Sequence, residues 1–378
     1  MKIAFKKRLK TTTSNERFHC NGYEIANWKS VRRRFLLPVI FVMISFSVFA
    51  QQEKGTVIID TIYSPNLEND FGENPKRAVS VYLPPNYQNS DQRYPVIYFL
   101  HGFMGDNQMM DMMSDLLDFA IATNRIKPFI MVIPDEKTTY DGSFYSNSGV
   151  FGNWEDFTAF DLVKYMDENY RTIPQKESRG ITGHSMGGYG ALKIAMHHPD
   201  IFNTVYAISP GALTIVAEYG PNSNTFRELS TMKTIDDLKK SYFGSVMMAF
   251  GRAWSPNPDN PPFFCDFPFM YDGDELTVNH DVLQKWYENM PVHMIDDNLE
   301  NLQQLKAIKL DWGRNAGDRF TLQCDMFSQR LENVGITHFA EEYIGTHGSG
   351  IYTKEGRIPQ QVLPFFDLYL DFNSEAYE

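Results

Sequence analysis

Ile181-Thr182-Gly183-His184-Ser185-Met186-Gly187-Gly188-Tyr189-Gly190-Ala191-Leu192 decides how the rest of the chain is read. Gly183-x-Ser185-x-Gly187 is the pattern of a nucleophile elbow, a sharp strand-to-helix turn that lifts a hydroxyl above a sheet. A Cβ at either flanking position would collide with neighbouring backbone, so both need glycine. The bare pattern recurs by chance, and its context gives it weight. Residues 178–182 read as a strand and 186–197 as a helix, the order the turn requires.

Working outward, the same alternation continues on both sides. Residues 55–63 read as a first strand. Residues 77–83 alternate with period two and end at Pro84-Pro85-Asn86-Tyr87. The continuous apolar run 94–100 suits a strand buried on both faces. Helical spacing covers 106–124, and an apolar strand at 129–133 stops at Pro134-Asp135. Residues 154–170 read as an amphipathic helix. Beyond the elbow come strands at 204–209 and 307–312, a helix at 318–333, a strand at 337–343 and a helix at 359–372. Strands alternating with helices predict a mostly parallel central sheet flanked by helices. The first two strands lack an intervening helix, which predicts an antiparallel start. This is the layout of an α/β-hydrolase fold, with residues 212–306 as a long cap insertion before the penultimate strand.

The N-terminus reads differently. Arg32-Arg33-Arg34 precede an apolar stretch, 35–50, that is interrupted by Pro38 and ends Ser47-Val48-Phe49-Ala50. A basic region, a short apolar region and small residues before Gln51 predict an export signal cleaved after Ala50. The stretch is short for a membrane span. The chain therefore divides into an N-terminal extension and export signal, 1–50, and a hydrolase domain, 51–378. No Cys follows the apolar stretch, so a lipid anchor is not indicated.

Residues 1–50 hold ten Lys/Arg and two Asp/Glu; without them 25 basic and 45 acidic side chains remain, a formal charge of −20. Nucleic acid is excluded as a partner, because phosphate binding needs a positive footprint. An anionic membrane surface is equally unfavourable once the signal is gone. Cys265 and Cys324 remain after cleavage. No CxxC or Cys/His spacing points to zinc, and no cofactor is implied.

An acyl-transfer serine needs a base, a group that orients the base, and donors for the oxyanion. In this architecture the acid and the histidine follow the serine along the chain. His347 lies in Tyr343-Ile344-Gly345-Thr346-His347-Gly348-Ser349-Gly350, a glycine-rich loop past the last predicted strand. A loop at the carboxyl edge of the sheet is where a base belongs, so His347 is the expected base and His338 the runner-up. The acid is expected after the preceding strand, where Asp318 is preferred and Asp311 is the alternative. The Met186 N–H, just after the nucleophile, is one expected oxyanion donor. The other is the Phe103 N–H, in Leu100-His101-Gly102-Phe103-Met104-Gly105. His101 precedes the nucleophile and reads as a histidine that braces this loop. The aromatic residues of the cap read either as its own core or as a wall for substrate; Trp254 and Phe264 there, and Trp154 ahead of the helix at 154–170, are the side chains named as candidates against substrate.

Three stretches carry a family likeness: Val79-Ser80-Val81-Tyr82-Leu83-Pro84-Pro85-Asn86-Tyr87, Tyr94-Pro95-Val96-Ile97-Tyr98-Phe99-Leu100-His101-Gly102, and the elbow itself. Together they resemble the esterase D-type putative esterases. That group includes S-formylglutathione hydrolases, feruloyl and acetyl-xylan esterases, enterochelin esterases and mycolyltransferases. The resemblance spans about residues 77–372. It implies an α/β hydrolase with Ser185 as nucleophile, His347 as base and an acid in the loop after the penultimate strand. That loop, Gly313-Arg314-Asn315-Ala316-Gly317-Asp318, is longer here than the family's Gly-x-x-Asp pattern. The implied activity is that of an exported serine carboxylesterase acting on a small-molecule or carbohydrate ester. Acyl transfer to a sugar hydroxyl, an S-formylglutathione hydrolase-like thioesterase, and a non-catalytic glycan-binding protein on the same scaffold stay open as alternatives.

Overall fold

Val96-Ile97-Tyr98-Phe99-Leu100 is buried at every position, as a strand covered on both faces must be. The computed structural model describes residues 53–238 and 240–373. The expected export signal lies outside them. Among the described residues the main sheet has eight strands: β1 (Thr56–Tyr63), β2 (Lys76–Leu83), β3 (Val96–Leu100), β4 (Ile130–Pro134), β5 (Arg179–His184), β6 (Thr204–Ile208), β7 (Ala307–Gly313) and β8 (Phe339–Tyr343).

Their spatial order is β1-β2-β4-β3-β5-β6-β7-β8. β1 pairs antiparallel with β2, and β2 antiparallel with β4. The pairs from β4 through β8 are parallel. The antiparallel start and parallel centre match the expectation. β4, β5 and β6 are enclosed almost throughout, and β4 and β6 are mostly apolar. β8, at the edge, is mostly exposed.

Helices cover both faces. α1 (Met109–Ala122) and the C-terminal helix, ending in Leu363–Tyr369, bury Met110, Met113, Leu117, Leu363 and Phe366 against one face. The helix over 154–169, which contains a wider π-helical stretch at Phe157–Leu162, and the elbow helix (Met186–His197) pack on the other.

The topology itself places a site. The chain runs from β3 to β4 on one side, then crosses back to β5 on the other. Ligands of open α/β sheets gather outside the carboxyl ends of strands that flank such a reversal. Here Leu100 and Gly183 are paired in register. The loop after β3 and the turn after β5 therefore emerge side by side.

Between β6 and β7 lie the helices Asn224–Thr231, Tyr242–Trp254 and His280–Glu288 and a small hairpin, Phe269–Asp272 with Glu275–Val278. Their apolar faces join the core of the body rather than forming a separate one. Trp254 shows how: it stacks on Phe250 at 4.3 Å and meets Tyr189 of the elbow helix at 5.8 Å. Cys265 and Cys324 are both free and buried. No helix among the described residues is long and apolar enough to cross a membrane.

Candidate active site

Ser185 has φ 60° and ψ −114°, a conformation that costs an L-residue energy and survives only where its surroundings enforce it. The surroundings are tight. A Cβ on Gly187 would lie 1.9 Å from the Leu100 carbonyl oxygen, and one on Gly183 would lie 2.5 Å from the Gly187 backbone. The Ser185 N–H donates to the Ile208 carbonyl at 3.0 Å. Strand, helix and neighbouring strand thus hold the turn from three sides.

His347 stands on the loop after β8, and its Nε2 accepts the Ser185 Oγ–H at 2.9 Å. Three contacts hold the loop and the ring. His184 donates Nε2–H to the His347 carbonyl at 2.9 Å. Asn315 N–H donates to the Gly345 carbonyl at 2.8 Å. The Phe320 ring stacks on the imidazole at 3.6 Å. Burial pushes the His347 pKa down to about 3, assisted by the neighbouring His184 and Arg319. The ring is therefore neutral at neutral pH, which is the form a base needs.

The two expected acids are not brought to it. Among the described residues, His347 Nδ1 is buried and has no hydrogen-bond partner. Asp318 opens the helix Asp318–Asn333 and is exposed, so its carboxylate does not complete a triad in this geometry. Asp311, at the end of β7, is fully buried and occupied elsewhere. Arg357 Nε donates to its Oδ2 at 2.6 Å, and the Tyr206 hydroxyl bonds the same oxygen. His338 is hydrogen-bonded to Ser328 and does not reach Ser185.

The loop after β3 lies against the elbow: a Cβ on Gly102 would come within 3.5 Å of the Ser185 Cβ. Among the described residues, the Phe103 and Met186 N–H groups donate to no protein acceptor. Met186 is the first residue of its helix, where an N–H has no intrahelical partner. Both residues line the cleft that opens on Ser185.

The rest of that cleft departs from expectation. Trp154 is fully buried, donates Nε1–H to the Phe151 carbonyl and packs under Arg77. Trp254 is core, as described above, and its Nε1–H reaches Ser146 at 3.3 Å. Phe264 packs edge-on to Phe71 at 5.1 Å. None of the three lines the cleft. Large aromatic rings were drawn into the apolar core, where they bury most area. Tyr219, Tyr242 and Val246 of the cap, Phe144 of the body, and Arg319 and Phe320 of the helix start form the walls instead. Arg319 and Phe320 were accessible from sequence only through their place beside Asp318. No periodicity marks Tyr219 or Tyr242.

Comparison with known proteins gives the same fold and a family. A ferulic acid esterase superposes with a TM-score of 0.58 at 22% identity, over 84% of this chain and 100% of that one. An S-formylglutathione hydrolase from Agrobacterium tumefaciens does so with a TM-score of 0.53 at 16% identity, over 84% and 97%. Esterase Rv1288 of Mycobacterium tuberculosis is 38% identical over 129 residues, which are 33% of this chain and 26% of that protein. An endo-1,4-beta-xylanase/feruloyl esterase of Xylanibacter ruminicola is 30% identical over 151 residues, 36% of this chain and 20% of that protein. The chain thus spans about a quarter of the length of the mycobacterial relative. The family model for putative esterases matches residues 73–355. With that match over most of its length and an α/β-hydrolase sheet beneath the elbow, the chain belongs to the putative esterase family.

Proposed function

We propose that this protein is an exported serine carboxylesterase. The observation that carries the reading is the 2.9 Å hydrogen bond from Ser185 Oγ to His347 Nε2 on a strained elbow. Ser185 attacks the ester carbonyl carbon while His347 Nε2 takes its proton. The oxyanion of the tetrahedral intermediate accepts hydrogen bonds from the Phe103 and Met186 N–H groups. His347 then protonates the departing alkoxide, leaving an acyl-Ser185. A water, deprotonated by the same nitrogen, releases the acid and restores the serine.

Asp318 is the carboxylate assigned to orient His347. Its support is position: Phe320, two residues on, already stacks on the imidazole. Gly317 before it has φ 93°, a backbone conformation that glycine adopts freely where the chain turns into the helix. The aromatic walls of the cleft and the feruloyl esterase activity named for the Xylanibacter relative favour a phenolic or carbohydrate ester. The basic and apolar stretches at 32–50 support export.

A fluorophosphonate probe is expected to label the wild-type protein. Ser185→Ala is expected to abolish labelling and to lower hydrolysis of p-nitrophenyl acetate by ~10³-fold or more, since only binding and the oxyanion donors remain. Unchanged turnover in that variant refutes the reading.

A further inference from the structure

We infer that His101 is a positioning residue for the oxyanion hole: through the Gly102 carbonyl it aims the Phe103 N–H at the site of attack. This rests on the assignment of Phe103 as an oxyanion donor.

His101 is fully buried and takes no part in the proton transfers described above. Its two ring nitrogens have different partners. Nε2 lies 2.9 Å from the Glu136 backbone nitrogen and accepts its N–H. A nitrogen that accepts carries no proton, so in the neutral ring the hydrogen sits on Nδ1. Burial pushes the His101 pKa down and keeps the ring neutral, although the bond to Gly102 pulls the other way. Nδ1 lies 2.9 Å from the Gly102 carbonyl oxygen and donates to it. The imidazole thus links a backbone donor on the β4 side to a backbone acceptor beside the nucleophile.

The consequence follows from the peptide group. In a trans peptide the C=O of one residue and the N–H of the next lie in one plane and point in opposite directions. The Gly102 carbonyl receives two donors, His101 Nδ1–H and the Gly105 N–H, the latter also at 2.9 Å. Rotating the Gly102–Phe103 peptide breaks both bonds. With its oxygen held toward His101, its N–H faces the other side. That is where Phe103 borders the cleft shared with Ser185 and Met186. The loop is clamped on either flank as well: the Tyr145 hydroxyl donates to the His101 carbonyl at 2.8 Å, and the Met104 N–H donates to the Asp141 carbonyl at 2.9 Å. An oxyanion donor works because it is oriented before charge develops, and His101 supplies that orientation at Phe103.

Two substitutions separate the ring's two bonds. His101→Asn keeps a donor near the δ position and gives up the acceptor for Glu136. His101→Gln keeps an acceptor near the ε position and gives up the donor to Gly102. With p-nitrophenyl acetate, His101→Gln is expected to lower kcat ~10²-fold, the scale of a lost oxyanion donor, with KM within about twofold of wild type. Affinity for a trifluoromethyl ketone, which forms an oxyanion on Ser185, should fall in parallel. His101→Asn should retain kcat to within about tenfold. The inference is overturned if folded His101→Gln keeps wild-type kcat, or if the two variants lose rate equally. Failure of both to fold overturns it too, leaving His101 a role in stability alone. If only His101→Asn fails to fold, the rate and ketone affinity of His101→Gln decide. These outcomes are separate from the esterase reading, which falls only if Ser185→Ala retains turnover.

Discussion

His347 is held by a hydroxyl, a backbone contact and a phenyl ring, and none of these is a carboxylate. An imidazole that is half-enclosed and unpaired at Nδ1 resists protonation, hence its depressed pKa of about 3. As the proposed base His347 acts when neutral, so activity is expected to be lost as pH falls through the pKa of the state being measured. Because kcat/KM reports the free enzyme, it should stay level from pH 7 down to about 5, where an unperturbed imidazole of pKa ~6.5 would be mostly protonated. A carboxylate drawn onto Nδ1 in the substrate complex favours the imidazolium, so the acid limb of kcat should lie at higher pH than that of kcat/KM. Paired pH–rate profiles check this. Asp318→Asn should then lower kcat by ~10² to 10⁴-fold and bring the two limbs together. Asp311→Asn should act on folding instead. It breaks the contact with the guanidinium of Arg357, itself largely buried, at a cost on the order of 3 kcal/mol in urea denaturation.

Elements are coupled by a buried ion pair that the sequence pattern does not announce. Glu155 opens the helix over 154–169, and its carboxylate lies 3.2 Å from Lys193 Nζ on the elbow helix, with both side chains less than a tenth exposed. Burial alone would raise the Glu155 pKa, but Lys193 with His197 and His198 holds it well below the usual range. Lys193 also donates to Ser146 and to Asn289 of the cap, at 2.8 and 2.9 Å. The pair therefore ties the elbow helix to both its neighbours. Glu155→Gln leaves a buried ammonium without its counter-charge and should cost about 3–5 kcal/mol, read by chemical denaturation. Glu155→Gln combined with Lys193→Met should recover much of that loss. A folded-state pKa below the unfolded value means that this stabilisation is present above about pH 4.5 and is lost as pH falls below it. Element boundaries were legible where sequence punctuation is strong. The helices 186–197 and 318–333 run as read, one framed by the elbow glycines and the other preceded by Gly317. The π-helical stretch Phe157–Leu162 has no sequence signature of its own, because it is a local accommodation to packing.

At the scale of the whole molecule, the sheet reversal between β3 and β5 sets the loop after β3 beside Ser185, and Tyr219, Tyr242 and Val246 from the core-packed stretch between β6 and β7 line the cleft there. The same chain carries a basic cluster and an apolar stretch ahead of Gln51 and a strongly acidic remainder. Processing as proposed should yield, outside the cytoplasm, a protein whose N-terminal sequencing begins Gln51-Gln52-Glu53. An N-terminus that retains Arg32-Arg33-Arg34 in that fraction would count against export by signal cleavage.

The order of strands and helices, the elbow, and the meeting of His347 with Ser185 were legible in the amino-acid sequence alone. Each depends on local chemistry: apolar period, glycine where a Cβ collides, and a chain order shared by one architecture. The walls of the cleft, the unpaired Nδ1 of His347 and the hydrogen-bonded imidazole of His101 were decided by tertiary structure. They depend on which distant side chains compete for the same space and the same polar atoms. Trp154 and Trp254 went to the core because burying a large ring stabilises more than lining a narrow cleft. Asp311 was taken by Arg357 because a buried carboxylate needs a counter-charge before anything else.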